Sequence, residues 1–202
     1  MKKVIPLFII FCFLSEIHLC AQVNPSLEKE KVTREIALQP FSEILTEGGG
    51  NFYLHYSTTS KVEINGLEAC LTEIEFTVSS GILRISPKGN FSENSKVDIH
   101  IFTPLIRGIQ QKGGGSIVIK EGFSSVNEFK CSIDGGGKID ITTLSVNSLL
   151  ASIKGGGEIS ARVDSKLQGK INGGGDIFYQ GDPVVESNIA GGGAIKQKHF
   201  EK

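Results

Sequence analysis

The chain has 202 residues, a formal net charge of −1 and 39% hydrophobic residues. This is enough apolar material for the core of one domain. The near-neutral charge gives no electrostatic basis for binding nucleic acid or an anionic membrane surface, so neither is predicted as a partner.

A secretory signal peptide is predicted at the start of the chain. Lys2 and Lys3 precede an apolar stretch over residues 4–14, and Ala21 stands before the polar Gln22; this is the layout of an export signal. The apolar stretch is shorter than the roughly twenty residues that a membrane-spanning helix needs. We therefore expect export to the periplasm, the outer membrane or the cell surface, and no transmembrane segment once the signal is removed.

The same signal sets the predicted domain boundaries. Residues 1–21 are the signal peptide, and residues 22–202 form a single domain. Cys20 leaves a lipid anchor open as an alternative, but the large Leu19 before it favours simple cleavage after Ala21.

Two cysteines remain after signal removal, Cys70 and Cys131. In an oxidising compartment they can form one disulfide, although two cysteines do not make a disulfide-stapled scaffold. Two buried thiols are the favoured alternative.

The N-terminal half reads as a series of short strands. Apolar residues alternate with polar ones, and turn signals separate the runs at residues 65–66, 80–81 and 87–90. The alternating sets are Phe52, Leu54 and Tyr56; Val62 and Ile64; Ile74, Phe76 and Val78; Ile82 and Ile85; and Val97, Ile99 and Ile101. No amphipathic helix is predicted.

The strongest signal is the tripeptide Gly-Gly-Gly, which occurs six times. The triplets are residues 48–50, 113–115, 135–137, 155–157, 173–175 and 191–193. The starts of the last five are spaced by 22, 20, 18 and 18 residues, near the length of one turn of a β-solenoid. Each triplet leads back into a strand rather than a helix, so the triplets are interpreted as kinks and not as phosphate-binding loops.

The flanks of the triplets repeat as well. The last four triplets sit in the frame Ile-x-Gly-Gly-Gly-x-Ile, formed by Ile133 and Ile139, Ile153 and Ile159, Ile171 and Ile177, and Ile189 and Ile195. Stacking the turns in register predicts three core columns: Phe129, Leu149, Leu167 and Val185; Cys131, Ala151, Gly169 and Ser187; and the isoleucines before the triplets. Because no turn buries its apolar face alone, stability must come from contact between turns.

The predicted architecture is an all-β, parallel β-solenoid with glycine kinks and less regular N-terminal turns. The 65 residues from Gly48 to Gly113 correspond to about three turns of the later length. One continuous solenoid with degenerate first turns is the favoured arrangement, and a sandwich-like cap on a shorter solenoid is the alternative.

These features carry a resemblance to a known family. The export signal, the segments 41–44 and 48–53, and the later isoleucine-framed triplets resemble the head GIN domain of putative auto-transporter adhesins, an exported Bacteroidetes-type domain of unknown function. The resemblance covers roughly residues 35–195. It implies a single-stranded, right-handed parallel β-helix at the cell envelope or surface, with adhesion suggested by the family's name.

Outward positions beside the triplets form two predicted ladders of mostly polar residues. They are Lys112, Asp134, Lys154, Asn172 and Ala190 before the triplets, and Ser116, Lys138, Glu158, Asp176 and Ala194 after them. Glu158 and Asp176 fall on adjacent turns, about 4.8 Å apart in backbone spacing; such a pair suits acid–base chemistry or a weak Ca²⁺ site. Pairing with Lys138 and Lys154 is the favoured alternative.

No catalytic, cofactor-binding or metal-binding residue is therefore predicted. His55, His100 and His199 are separated in sequence and have no cysteine or histidine at metal-ligand spacing. A sugar-stacking surface is considered from Tyr53, His55, Phe178 and Tyr179, of which Phe178 is predicted to point outward.

The sequence favours a non-enzymatic envelope or surface protein that binds a glycan, a protein partner or another copy of itself. A passive, self-assembling periplasmic scaffold is the second expectation, because open solenoid ends leave strand edges unpaired. A polysaccharide-processing enzyme that uses Glu158 and Asp176 is the third.

Overall fold

The computed structural model describes residues 31–67, 71–88 and 97–200. These residues form a 15-stranded sheet. The strands are β1 (Lys31–Ala37), β2 (Glu43–Glu47), β3 (Asn51–Tyr56), β4 (Lys61–Leu67), β5 (Ile74–Ser79), β6 (Ile82–Pro87), β7 (Asp98–Thr103), β8 (Gly108–Gly113), β9 (Ser116–Ile119), β10 (Val126–Gly135), β11 (Lys138–Gly155), β12 (Glu158–Gly173), β13 (Asp176–Gln180), β14 (Val184–Ala190) and β15 (Ala194–Gln197).

The predicted β-solenoid is confirmed. Strand segments that precede the glycine triplets, with β6 added at one end, pair in parallel in the order β6, β2, β8, β10, β11, β12 and β14, and we call this stack the entry ladder. Segments that follow the triplets, with β7 added at one end, pair in parallel in the order β7, β3, β9, β11, β12, β13 and β15, and we call this stack the exit ladder. β11 and β12 run through both ladders.

The three predicted core columns lie in register in the entry ladder. Phe129 pairs with Leu149, Leu149 with Leu167 and Leu167 with Val185, and the other two columns follow the same register. In the inner turns these side chains are buried; Leu149 and Leu167, for example, are fully buried. Stacked aliphatic side chains thus form one continuous core along the solenoid axis.

The expectation that residues 48–113 contain three successive turns is wrong. Between β3 and β8, which bound this region, only β6 and β7 join the two ladders, and they stack on the far side of β2 and β3, away from β8 and β9. The turn that comes first in sequence therefore lies second in space.

The remaining strands of this region, together with β1, are antiparallel. β5 folds back on β6, β4 pairs with β7, and β1 pairs with β4. The fold-back of β5 has a local cause, because Ser80 and Gly81 have φ values of 51° and 77°. Two residues with positive φ make the tight turn that closes a hairpin, so the chain reverses there instead of continuing around the coil.

An outward ion-pair cluster ties the displaced turn to its neighbours. Arg84 on β6 donates hydrogen bonds to both carboxylate oxygens of Glu47 on β2, at 2.8 Å from Nη2, and Nζ of Lys112 on β8 lies 3.3 Å from Oε1. The hydrogen bond from Arg84 is the largest cause of a lowered pKa for the Glu47 carboxyl. Three successive strands of the entry ladder are thus connected across their outer face.

Cys131 is buried in the small-residue column, and its burial raises the pKa of the thiol. Cys131 carries a free thiol, as in the favoured prediction of two buried thiols, and Cys70 lies outside the described residues. The predicted signal peptide and Cys20 also lie outside them.

The isoleucine column changes to polar residues at the first two triplets. Thr46 and Gln111 occupy the position of the isoleucine, two residues before the triplet. They pair with each other in register and are fully buried. Nε2 of Gln111 donates to the carbonyl oxygen of Gly114 at 2.7 Å. Oγ1 of Thr46 and Oε1 of Gln111 have no hydrogen-bond partner within the described part of the chain.

Replacing Thr46 with valine is expected to raise the free energy of unfolding by about 1 kcal/mol, because an unpartnered buried hydroxyl carries a desolvation penalty. Thr103 is the matched control, since it is equally buried but its Oγ1 donates to the carbonyl oxygen of Phe41 at 3.1 Å. Thr103→Val is expected to lower the free energy of unfolding by about 1–3 kcal/mol. Urea denaturation of both variants tests the contrast, and equal destabilisation would contradict it.

Candidate functional site

The outer face of the entry ladder carries a row of recessed polar side chains. Ser132 and Ser152 are half-buried between longer side chains on either side, and Gln110, Lys170 and Asn188 continue their row in register. We call these five residues the serine channel. Small hydroxyls between longer neighbours make a groove that follows the solenoid axis.

Two grooves open along this channel. One of about 370 Å³ lies over both serines and is bordered by Asp134, Lys154 and Asn172. The other, of about 260 Å³, continues toward β14 between Leu150, Gln168 and Glu186. Lys170 lines both grooves, so they meet at its side chain.

Side chains on both borders of the channel contact one another, whereas the side chains of the serine channel itself have no such partners. Nζ of Lys154 lies 3.2 Å from Oδ2 of Asp134 on one border, and Nε2 of Gln168 donates to Oε2 of Glu186 at 2.6 Å on the other. Across the described ranges, none of the five side chains of the serine channel has a hydrogen bond or ion pair to another residue. The channel thus offers hydroxyl, amide and ammonium groups that remain free for a ligand.

A third and larger groove, of about 600 Å³, lies beside the start of the same ladder. Glu43 and Lys130 line it from the two strands that flank Gly108 in the register. Leu105 and Arg107 complete the wall. This groove offers both signs of charge next to an exposed leucine.

The outer face of the exit ladder carries four stacked rings. His100 stacks on Tyr53 with ring centroids 5.1 Å apart and on His55 at 5.2 Å, and His55 stacks on Phe102 at 4.9 Å. Nε2 of His55 and Nδ1 of His100 share a hydrogen bond of 3.0 Å. We call Tyr53, His55, His100 and Phe102 the aromatic stack.

Lysines cover both ends of the aromatic stack. Nζ of Lys120 lies 5.1 Å from the ring centroid of Tyr53, and Nζ of Lys61 lies 5.0 Å from that of Phe102. Ring faces within the stack are covered by the neighbouring rings. The stack therefore presents ring edges to solvent, and a sugar ring has no open aromatic face to stack on.

The other two predicted ring residues lie elsewhere. Phe178 is partly exposed on the outer face of β13, with Nζ of Lys198 5.1 Å from its ring centroid. Tyr179 instead packs against the core, because alternation along β13 turns it inward. Phe102 was missed by sequence reasoning, although alternation with Ile99 and Ile101 places it outward together with His100.

The free energy of unfolding is expected to fall as pH drops below the ordinary pKa of histidine. Burial, followed by repulsion from His100, lowers the pKa of His55 below 6.5. As pH falls through that value, the unfolded chain takes up a proton that the folded chain does not, so stability decreases until the folded pKa is passed. The slope is measured by urea denaturation between about pH 8 and about pH 5.

Replacing His55 with phenylalanine is expected to reduce this slope. His199→Gln provides the control, because it removes an exposed imidazole and leaves the aromatic stack intact. Equal slopes in the parent chain and His55→Phe would contradict the prediction.

The two carboxylates considered for catalysis are neighbours, but each has its own partner. Glu158 and Asp176 pair in register. Oε1 of Glu158 lies 2.7 Å from Nζ of Lys138, and Oδ1 of Asp176 accepts a hydrogen bond of 2.9 Å from the backbone N–H of Ala194. The expected pairing with Lys138 is therefore present, whereas Lys154 pairs with Asp134 instead.

Two features are absent from the described residues. They contain no group of three or more His, Cys, Asp or Glu residues that could hold a metal ion. They also contain no helix long and apolar enough to cross a membrane.

The described residues thus form a parallel β-solenoid that has glycine triplets at its corners and polar side chains on its outer faces. The profile of the family described as putative auto-transporter adhesin, head GIN domain, matches residues 40–125 and 121–183. The chain belongs to this family, which confirms the resemblance seen in the sequence.

A solved structure shows the same fold. A crystal structure of a putative adhesin from Bacteroides fragilis NCTC 9343 is 21% identical, with 84% of this chain and 98% of that chain covered and a TM-score of 0.58. A crystal structure of a putative adhesin from Parabacteroides merdae ATCC 43184 is 16% identical, with 85% and 98% covered and a TM-score of 0.46. No curated protein matches the chain at a significant level.

Proposed function

We propose that this protein is an exported, non-enzymatic binding module of the cell envelope or surface, and that it binds an extended glycan along the serine channel. The observation that carries the proposal is the row of free polar side chains from Gln110 to Asn188. Parallel strands repeat about every 4.8 Å, so the row offers hydrogen-bonding groups at regular intervals. A glycan chain offers hydroxyl groups at regular intervals too.

The composition of the channel favours a glycan over a protein partner. Binding energy at protein interfaces is concentrated in buried Trp, Tyr and Arg side chains, and none of these lines the channel. Leu150 is the apolar side chain at its border, 47% exposed. Serine, asparagine, glutamine and lysine instead suit hydrogen bonds to hydroxyl groups.

Export is supported by the predicted signal peptide, and a surface role is supported by the family's description as an adhesin head. Protease digestion of an epitope-tagged copy in intact cells, compared with cells whose outer membrane is permeabilised, tests the location. Digestion in intact cells would support surface display. Protection until permeabilisation would leave a periplasmic binding module.

Glycan binding is tested by titrating the purified chain with a panel of soluble bacterial and host polysaccharides. The double variant Ser132→Arg/Ser152→Arg fills the channel from outside the core and is expected to weaken binding at least about tenfold, or about 1.4 kcal/mol. Ser116→Arg, on the outer face of the exit ladder, is the matched control and should bind as the parent does. Unchanged affinity in the double variant would remove the serine channel as the site.

The enzymatic alternative is tested with the same panel. Polysaccharides incubated with the parent chain and with Glu158→Ala/Asp176→Ala should keep their chain length in both cases. Cleavage by the parent that is lost in the double variant would overturn the non-enzymatic proposal.

A further inference from the structure

The two ends of the solenoid differ in how their strand edges are covered. At the head, β1 and β5 add antiparallel strands beyond the parallel ladders. At the tail, β14 pairs with β12 alone and β15 with β13 alone among the strands of the described chain. The outer edges of β14 and β15 therefore present backbone groups without a neighbouring strand.

The tail also leaves the end of the apolar core open. Val185 and Ile189 belong to columns whose inner members, such as Leu167 and Ile171, are at most 2% exposed. Val185 is 37% exposed and Ile189 is 41% exposed. An exposed edge strand with apolar side chains is a template for pairing with another strand.

Three features that protect edge strands elsewhere are missing from β14. It contains no proline, no lysine and no inward-pointing charge, and its one charged residue, Glu186, lies on the outer face. Its outward Val184 is 69% exposed. The strand is thus fit for addition of a further strand on the side away from β12.

We propose that a second copy of this chain covers the tail, with β14 of the two copies paired antiparallel about a two-fold axis at Ser187. The sequence of β14 is self-complementary in this register. Val185 faces the partner's Ile189, Ser187 faces the partner's Ser187, and Glu186 faces the partner's Asn188.

This pairing brings compatible side chains together on both faces of β14. On the inner face, each Val185 meets an Ile189, so the large, small and large columns of the core continue across the junction. On the outer face, no like charges oppose each other, and the carboxylate of Glu186 can accept a hydrogen bond from the partner's Asn188 amide. A two-fold contact uses the same surface on both copies and closes the assembly as a dimer.

Light scattering on the purified chain tests the dimer, and a cysteine at the axis tests the register. Directly opposite residues in an antiparallel pair have Cα atoms about 4.5–5.5 Å apart, a separation that a disulfide spans. Ser187→Cys is therefore expected to give a disulfide-linked dimer under mild oxidation. Ser132→Cys, on the outer face of an inner turn, is the control and should remain unlinked.

A further variant tests the apolar contact. Ile189→Lys is expected to shift the monomer–dimer equilibrium toward monomer at least about tenfold. If Ile189→Lys fails to fold, cross-linking through Ser187→Cys still tests the dimer. A parent chain that stays monomeric up to its highest soluble concentration would overturn the proposal. A dimer that is not linked through Ser187→Cys, or a mass that grows without limit, would overturn it as well.

Discussion

Replacing Gly155 with alanine is expected to lower the free energy of unfolding by about 2–6 kcal/mol. Backbone strain from the unfavourable φ and steric overlap of the added Cβ each contribute about 1–3 kcal/mol. Gly155 has a φ of +120°, which side chains with a Cβ rarely adopt. A Cβ there would also meet the carbonyl oxygen of Gly135 in the preceding turn. The two causes act together, because the corner is both bent and closely stacked.

The close stacking at Gly155 has a specific origin in the backbone. The N–H of Gly156 donates to the carbonyl oxygen of Gly135 at 3.0 Å, and the N–H of Gly174 donates to that of Gly155 at 3.0 Å. The triplet of residues 155–157 is thus hydrogen-bonded to the triplets of the turns before and after it. An alanine at the first position would push these corners apart and break the spacing of the ladders on both sides.

Gly156 is the matched control for this prediction. It lies one residue away, is exposed, has no positive φ, and a Cβ built on it would meet no atom within 4 Å. Gly156→Ala is expected to be neutral or to stabilise by up to about 1 kcal/mol, because alanine restricts the unfolded chain. Urea denaturation of both variants gives the comparison; similar midpoints for the two would contradict the account of the triplet.

The sequence predicted the inner solenoid well because its turns are nearly identical and have almost no loops. A fixed spacing between triplets leaves one register in which Phe129, Leu149 and Leu167 share a column, and that register is observed. The outward ladders, with Glu158 beside Asp176, follow from the same alternation. Strand period and repeat length together therefore determine both faces of each turn.

The N-terminal arrangement could not be predicted in the same way. An alternating strand has the same pattern whether its neighbour is parallel or antiparallel. Periodicity therefore could not show which of the strands β4, β5, β6 and β7 join the parallel ladders and which pair antiparallel. Ser80-Gly81 indicated a turn, and the structure shows that it closes a hairpin. Which turn β6 would stack on depends on contacts distant in sequence.

Side-chain conformation limited the prediction of the candidate sites. Tyr53 and His55 lie in one aromatic stack, apart from Phe178 and Tyr179, and the covering of this stack by Lys120 and Lys61 depends on rotamers that periodicity does not specify. The serine channel could have been found from the sequence. Ser132 and Ser152 are small polar residues at equivalent outward positions of successive turns, a signal as regular as that of the core columns.

Truncating Leu149 to alanine is expected to lower the free energy of unfolding by about 2–5 kcal/mol, because the surrounding turns can only partly close the cavity. Leu149 is fully buried and pairs in register with Phe129 on one side and Leu167 on the other. The cavity would lie between three turns. Because each turn of a solenoid is stabilised by its neighbours, the loss should also speed amide hydrogen exchange in β10 and β12.

Leu150→Ala separates burial from the chemistry of the substitution. The residue is adjacent, the atoms removed are the same, and the side chain is 47% exposed on the outer face. Its truncation is expected to change the free energy of unfolding by less than about 1 kcal/mol and to leave exchange in the neighbouring strands as in the parent. Comparable losses at Leu149 and Leu150 in urea denaturation would mean that the entry ladder is not held together mainly by its inward columns, and that the outer face contributes as much as the core.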